Sequence, residues 1–373
     1  MKIAASICLL LLLISCSNNG TDETNEIEFE ELSQTIVEDI SVKYAKNFNI
    51  IPLANGYLVD LIDPNTHKIE RSWEFTYDKS KKGDDVIHLP LENIAAFSQT
   101  TIGMMSSLDA LEPLMGITNI SYVYDPEVKR KFKKGQITEF KGESNFSVEK
   151  AINAKADIII YSGFSREFPQ AKKLKKFGVD AVPDYDWRET HPLGRAEWIK
   201  FVGVICGKLE EAKSTFQKIE SEYLEMSLKM NSIDSTPAVI SGNFRGDQWT
   251  APAGNSYMAI LFKDAGANYV YKDTKGTGSI FKSMERIIID NESTNYWINP
   301  GFSSKTEIIE ANPKGKHLGP YKTNEVYCYT HDVNLFWERS AVEPHLLLAD
   351  FIQIFHPEIE IEGGLNFYKK LEK

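Results

Sequence analysis

Residues 142–163 read GESNFSVEKAINAKADIIIYSG, a helix followed at once by a strand. Asn145 or Ser147 can cap a short helix, and Glu149 falls in its first turn, where a carboxylate meets the positive end of the helix. A two-residue turn follows, and the apolar run ending at Tyr161 suits a buried strand. Residues 278–301, GSIFKSMERIIIDNESTNYWINPG, repeat the pattern: a Ser, a Glu, an apolar pair, a polar turn and an apolar strand-like run. Glu149 and Glu285 hold the same place in the two copies. The chain therefore contains two similar halves.

Around the first copy, residues 90–190 alternate helix and strand. TTIGMMSSLDALEPLMG reads as helical, ITNISYVYD as extended, and EFPQAKKLKKFGVDAVPDY as an amphipathic helix stopped by Gly178 before a strand. Around the second, PAVISGNF is a strand, NSYMAILFKDAGANYVY a helix ended by Gly266, GPYKTNEVYCYT a strand and PHLLLADFIQIF a last helix stopped by Pro357. Such alternation implies mainly parallel sheets covered on both faces. Residues 192–231 break the rhythm: Trp198, Phe201, Val202, Ile205 and Cys206 share one stripe, Leu209, Ala212, Phe216, Ile219, Tyr223 and Met226 continue it, and Gly207 separates two helices or kinks one. The predicted fold is α/β, two Rossmann-like lobes with mainly parallel sheets joined by a long helical connector. The predicted boundaries are a signal segment at 1–15, a tether at 16–39, a first lobe at 40–190, connecting helices at 191–232 and a second lobe at 233–373. Residues 40–90 carry short alternating runs joined by turns, which read as extra strands.

The 373 residues carry a formal charge of −11, which argues against nucleic acid as a partner. The start, MKIAASICLLLLLISC, has one Lys and an apolar stretch too short to span a bilayer, the layout of a secretion signal. Its end, LISC, resembles the lipobox of bacterial lipoproteins, in which the Cys, here Cys16, becomes the lipidated first residue. The acidic stretch SNNGTDETNEIEFEE suits a flexible tether. Cys206 and Cys328 sit in apolar settings suited to core packing, although a disulfide between them stays open.

Catalytic constellations are thin. The seven His are scattered, no pair has metal-ligand spacing, and neither a phosphate-cradling glycine loop nor a nucleophile elbow is present. Aromatic and Arg residues instead gather where strands end: Tyr122, Tyr124, Tyr161, Trp187 with Arg188, Phe244 with Arg245 and Trp249, and Trp337 with Arg339. Ligands of open α/β sheets bind outside the carboxyl ends of strands. Flat π faces with a few guanidinium forks suit a bulky, partly apolar ligand bearing carboxylates, amides or metal-bound oxygens.

NFSVEKAINAKADIIIYSG, HPLGRAEWIKFVGVICGKLEEA, WTAPAGNSYMAILFKDAGANYVY and FWERSAVEPHLLLADFIQIFHPEI together resemble the substrate-binding lipoproteins of ABC importers for iron complexes and cobalamin, the helical-backbone class of periplasmic binding proteins. The resemblance covers roughly residues 85–360. It implies no enzyme activity and no resident cofactor, but capture of a ferric siderophore or corrinoid between the lobes. Tyr122, Tyr124, Tyr161, Phe244, Trp249 and Trp337 would be the walls, and Arg188, Arg245 and Arg339 would meet anionic groups. It further implies that Glu149 and Glu285 each meet one copy of a homodimeric permease, which works with its ATPase, and that the protein hangs by lipidated Cys16 on the periplasmic side of a bacterial membrane. The family's usual Pro before the Asn of the first Glu motif is replaced by Ser144. Residues 40–80 fall outside the match and would form an added hairpin on the first lobe. Haem as ligand with a Tyr or His axial bond, a free-metal binder and a lipoprotein hydrolase are the rival readings.

Overall fold

The computed structural model describes residues 40–143, 145–164, 167–329 and 335–372. The signal segment, the tether with Cys16, Ser144 and His331 lie outside the described residues.

Residues 40–90 form a four-stranded sheet, not a hairpin. Strands β1 (Phe48–Leu53), β2 (Gly56–Ile62) and β3 (Ile69–Thr76) run antiparallel, and β4 (Val86–His88) lies parallel to β3. The sheet packs on the connector: the Phe48 ring lies 4.6 Å from Trp198 and the Phe75 ring 6.4 Å from Phe201. Its leading segment is pinned by Glu197, fully buried, which accepts from the backbone N–H groups of Lys43, Tyr44 and Ala45 at 2.8, 2.7 and 3.0 Å and from Lys200 Nζ at 2.8 Å.

The second sheet holds β5 (Ile94–Ala96), β6 (Leu114–Ile117), β7 (Thr138–Glu139), β8 (Ile158–Tyr161) and β9 (Asp180–Pro183), all parallel, in the order β7-β6-β5-β8-β9. In the other half, β10 (Ala238–Ser241) leads into a hairpin of β11 (Asn243–Arg245) and β12 (Gln248–Pro252), then β13 (Asn268–Tyr269), β14 (Ser279–Ser283), β15 (Tyr296–Ile298), β16 (Val326–Tyr329) and β17 (Tyr368–Lys370). Its main sheet runs β13-β10-β15-β16-β17, parallel except for the last strand. The run β6-β5-β8-β9 thus matches β13-β10-β15-β16 strand for strand. The twofold motif of the sequence is a twofold motif of topology.

The two copies also begin alike. Ser147 caps the helix Val148–Asn153 by accepting from Lys150 N, Ser283 caps Met284–Asp290 by accepting from Arg286 N, and Glu149 and Glu285 are the second residues of these helices. Each helix leads into the strand beside the first strand of its sheet.

Between the sheets lie helices Pro192–Glu197, Ile199–Cys206 and Leu209–Met230, the second ended by Gly207 in the left-handed region. Two expected elements differ. The helix Gln99–Ser107 stops short of residue 116, because Asp109 turns left-handed, Pro113 follows, and Leu114–Ile117 joins the sheet as β6. Residues 120–122 coil into a 3-10 turn capped by Asn119 where an extended run is expected. The halves touch where Gly103 meets the helix Phe336–Arg339: a Cβ there would lie 1.7 Å from the Glu338 carbonyl oxygen, so a side chain is excluded. Cys206 and Cys328 are free.

Candidate functional site

A cavity of about 580 Å³ opens beyond the carboxyl ends of β9, β10, β15 and β16. Trp187 and Arg188 reach it just after β9, Ser241 to Asn243 at the end of β10, Asn299 after β15, Tyr329 as the last residue of β16, and Phe336 and Trp337 beyond it. Tyr257, first residue of the helix Tyr257–Asp264 and held in register by the Ser256 cap, completes the aromatic lining. Tyr329 and Phe336 stack with ring centres 4.0 Å apart, and Trp337, 40% exposed, stands edge-on to both. Burial pushes the Tyr329 phenol up to about 12, so it enters the cavity as a neutral hydroxyl. Gly242 has φ +126° and allows Thr250 O and Trp249 Nε1 to approach within 2.2 and 2.7 Å of where its Cβ would stand, which lets the hairpin fold over the end of β10.

The turn after β9 is fixed from beneath by buried charge. Asp184 accepts from Thr101 Oγ1 at 2.7 Å and from the Asp186 N–H at 2.9 Å; Asp186 accepts from Thr100 Oγ1 and from Arg195 Nη2, each at 3.0 Å. Burial, reinforced by the Asp186 charge, raises the Asp184 carboxyl well above the usual range. Above this base the Trp187 indole donates to the Ser162 carbonyl at 2.6 Å and packs 4.6 Å from Phe164, while Arg188 rides on the Trp187 ring at 5.1 Å and donates to Asn65 Oδ1 at 2.6 Å. Asn65 belongs to the added sheet's β2–β3 connection, so that sheet helps to aim the arginine.

An aromatic-walled cavity thus lies outside the strand ends of two mainly parallel sheets that flank a helical connector. A model of the periplasmic binding protein family matches residues 94–332. The chain belongs to the periplasmic binding protein family. An uncharacterized lipoprotein of Methanocaldococcus jannaschii is 26% identical to it over 99% of this chain and 97% of that protein. Among solved structures, a possible iron-binding periplasmic solute-binding protein of Staphylococcus epidermidis superposes with a TM-score of 0.57 at 16% identity, covering 72% of this chain and 99% of that one. A periplasmic haem-binding protein of Pseudomonas aeruginosa gives 0.58 at 13% identity, covering 74% and 96%. At such identities the structures establish the shared fold.

Within this periplasmic binding protein, the residues expected from sequence divide sharply. Trp187, Arg188 and Trp337 line the cavity. Phe244 and Trp249 do not: they face each other across the hairpin, Phe244↔Trp249, and pack with Trp297 in the core, Trp249 fully buried. Alternation along β11 turns Phe244 inward, whereas Arg245 stands exposed at the hairpin end, beyond the described residues that line the cavity. Arg339 is held by Glu343 at 2.5 Å and lies 5.4 Å over Phe367. Tyr161 is buried in the first half's core and borders a separate cavity of about 280 Å³ beside Trp73 and Glu70. Tyr122 is 59% exposed, and Tyr124 packs under the Lys129 ammonium at 4.8 Å.

Sequence reasoning missed Tyr257, Tyr329, Phe336 and the polar rim of Ser241, Asn243 and Asn299. The signal for the first correction was present: NFR and QWT flank the two-residue turn Gly246-Asp247, a hairpin spacing that sends alternate residues to opposite faces. Glu149 and Glu285 are both exposed; Glu285 accepts from Lys314, which also contacts Asp247 at 2.9 Å. Among the described residues no group of three or more His, Cys, Asp or Glu is placed to hold a metal ion, and no helix is long and apolar enough to cross a membrane.

Proposed function

We propose that this protein is the substrate-binding lipoprotein of an ABC importer. It captures a metal chelate, a ferric siderophore or corrinoid, between lobes spanning 40–190 and 233–373. The helices of 191–232 limit their relative motion, and the loaded protein delivers its ligand to the permease. Cys16 anchors it by lipid on the periplasmic side of the membrane. The observation that carries the reading is the cavity itself: five aromatic side chains, Trp187, Tyr257, Tyr329, Phe336 and Trp337, surround a space of about 580 Å³ outside the strand ends.

Glu149 and Glu285 are the permease contacts in this reading. Their support is positional: two exposed carboxylates at the same place of two Ser-capped helices suit two copies of one partner, each offering a cationic pocket. Alanine at both positions is the test. Chelate uptake by cells should fall while the affinity of the purified protein stays unchanged; uptake at the wild-type rate would refute the docking role.

A further inference from the structure

Three arginines are expected at strand ends, yet Arg188 alone among them reaches the cavity, and this changes what the cavity can accept. Of the described lining residues, Arg188 is the one Lys or Arg and Glu189 the one Asp or Glu. Their formal charges cancel, and each is already engaged by neutral partners. Glu189 accepts from the N–H groups of Lys46 and Asn47 at 2.9 and 3.0 Å and from Trp198 Nε1 at 3.1 Å. Arg188 is shared with Asn65 and the Trp187 ring. Among the described residues the remaining polar lining consists of neutral hydroxyls and amides, Ser241, Asn243, Ser279 and Asn299 among them.

From this lining we infer that the ligand is a metal chelate of near-zero net charge whose periphery carries amide or hydroxamate groups. The inference rests on the chelate-import reading and narrows it. Neutral donors and acceptors pair with C=O and N–H groups at little electrostatic penalty, and the aromatic walls cover the apolar remainder. A chelate of charge −3 would bring more charge than one shared guanidinium can balance, and its lost hydration would go uncompensated. Haem, with two propionates, meets the same difficulty.

The experiment is calorimetric titration of the soluble protein, residues 22–373, with a neutral ferric tris-hydroxamate, cyanocobalamin, haem and a ferric tris-catecholate of charge −3, each at low and high salt. The expected result is saturable binding of the tris-hydroxamate or cyanocobalamin, changing less than ~3-fold with salt, and binding of the catecholate and haem at least ~100-fold weaker. Tight, salt-sensitive binding of the catecholate, or haem as the strongest ligand, would overturn the charge inference and leave chelate import standing. Absence of binding by all four would contradict the import reading, and the inference with it.

Discussion

The guanidinium of Arg195 lies 4.5 Å from the centre of the Tyr257 ring, so a cation on the connector supports a phenol of the cavity wall. The same guanidinium is paired with Asp186 at 3.0 Å, and both side chains are buried. Arg195 thus ties the turn bearing Trp187 and Arg188 to the helix that begins at Tyr257. Changing Arg195→Gln leaves Asp186 without its buried partner, and removing one member of such a pair costs about 3–5 kcal/mol. Urea denaturation should show a loss of that order, and ligand affinity should drop along with it. A variant as stable as the wild type would mean that the pair does not set the turn.

Glu197 does for the added sheet what Arg195 does for the site. Its carboxylate takes three backbone N–H groups of residues 43–45 and the Lys200 ammonium, with no exposure to water. In Glu197→Ala those donors lose their acceptor, and a loss of about 3–5 kcal/mol is expected. Hydrogen exchange should become faster first at Lys43 to Ala45. Unchanged protection there would contradict the pinning role.

His345 makes stability depend on pH. Burial holds its imidazole down to about 4, and the charges of Lys218 and Arg339 push the same way; Glu222, 3.4 Å from Nε2, does not offset them. The folded pKa lies below the unfolded value of 6.5, so the contribution is complete above about 6.5 and disappears as pH falls through 4. Between pH 7.5 and 4.5 the wild type should lose roughly 2–3 kcal/mol more than His345→Gln, measured as the shift in urea midpoint. Equal losses in the two proteins would rule out this histidine as the source.

How far the fold was legible follows from what each element needed. The repeated Ser-x-Glu helix and strand carried the parallel sheets, because capping and apolar runs are local signals. The left-handed C-cap at Gly207 and the end of Tyr257–Asp264 before Gly266 were equally local. The helix after residue 99 was overread because Leu114–Ile117 pairs with β5, a contact that periodicity cannot register. At the candidate site, Trp187, Arg188 and Trp337 reach the cavity from positions after strands, whereas hairpin parity turns Phe244 and Trp249 into the core and Arg245 stands at the far end of the hairpin. Tyr257 was passed over because it opens a helix, and its role depends on Arg195 beneath it, 62 positions earlier in the chain.

The aromatic cavity as the ligand site is tested by calorimetry of the best-binding chelate against the wild type and Trp337→Ala. Trp337 is 40% exposed at the cavity wall and packs edge-on against Tyr329 and Phe336, so affinity is compared at a temperature where both proteins are folded. The expected result is a loss of about 1–2 kcal/mol of binding, roughly 5- to 30-fold in Kd. Wild-type affinity in folded Trp337→Ala would place the ligand elsewhere and contradict the cavity as the binding site.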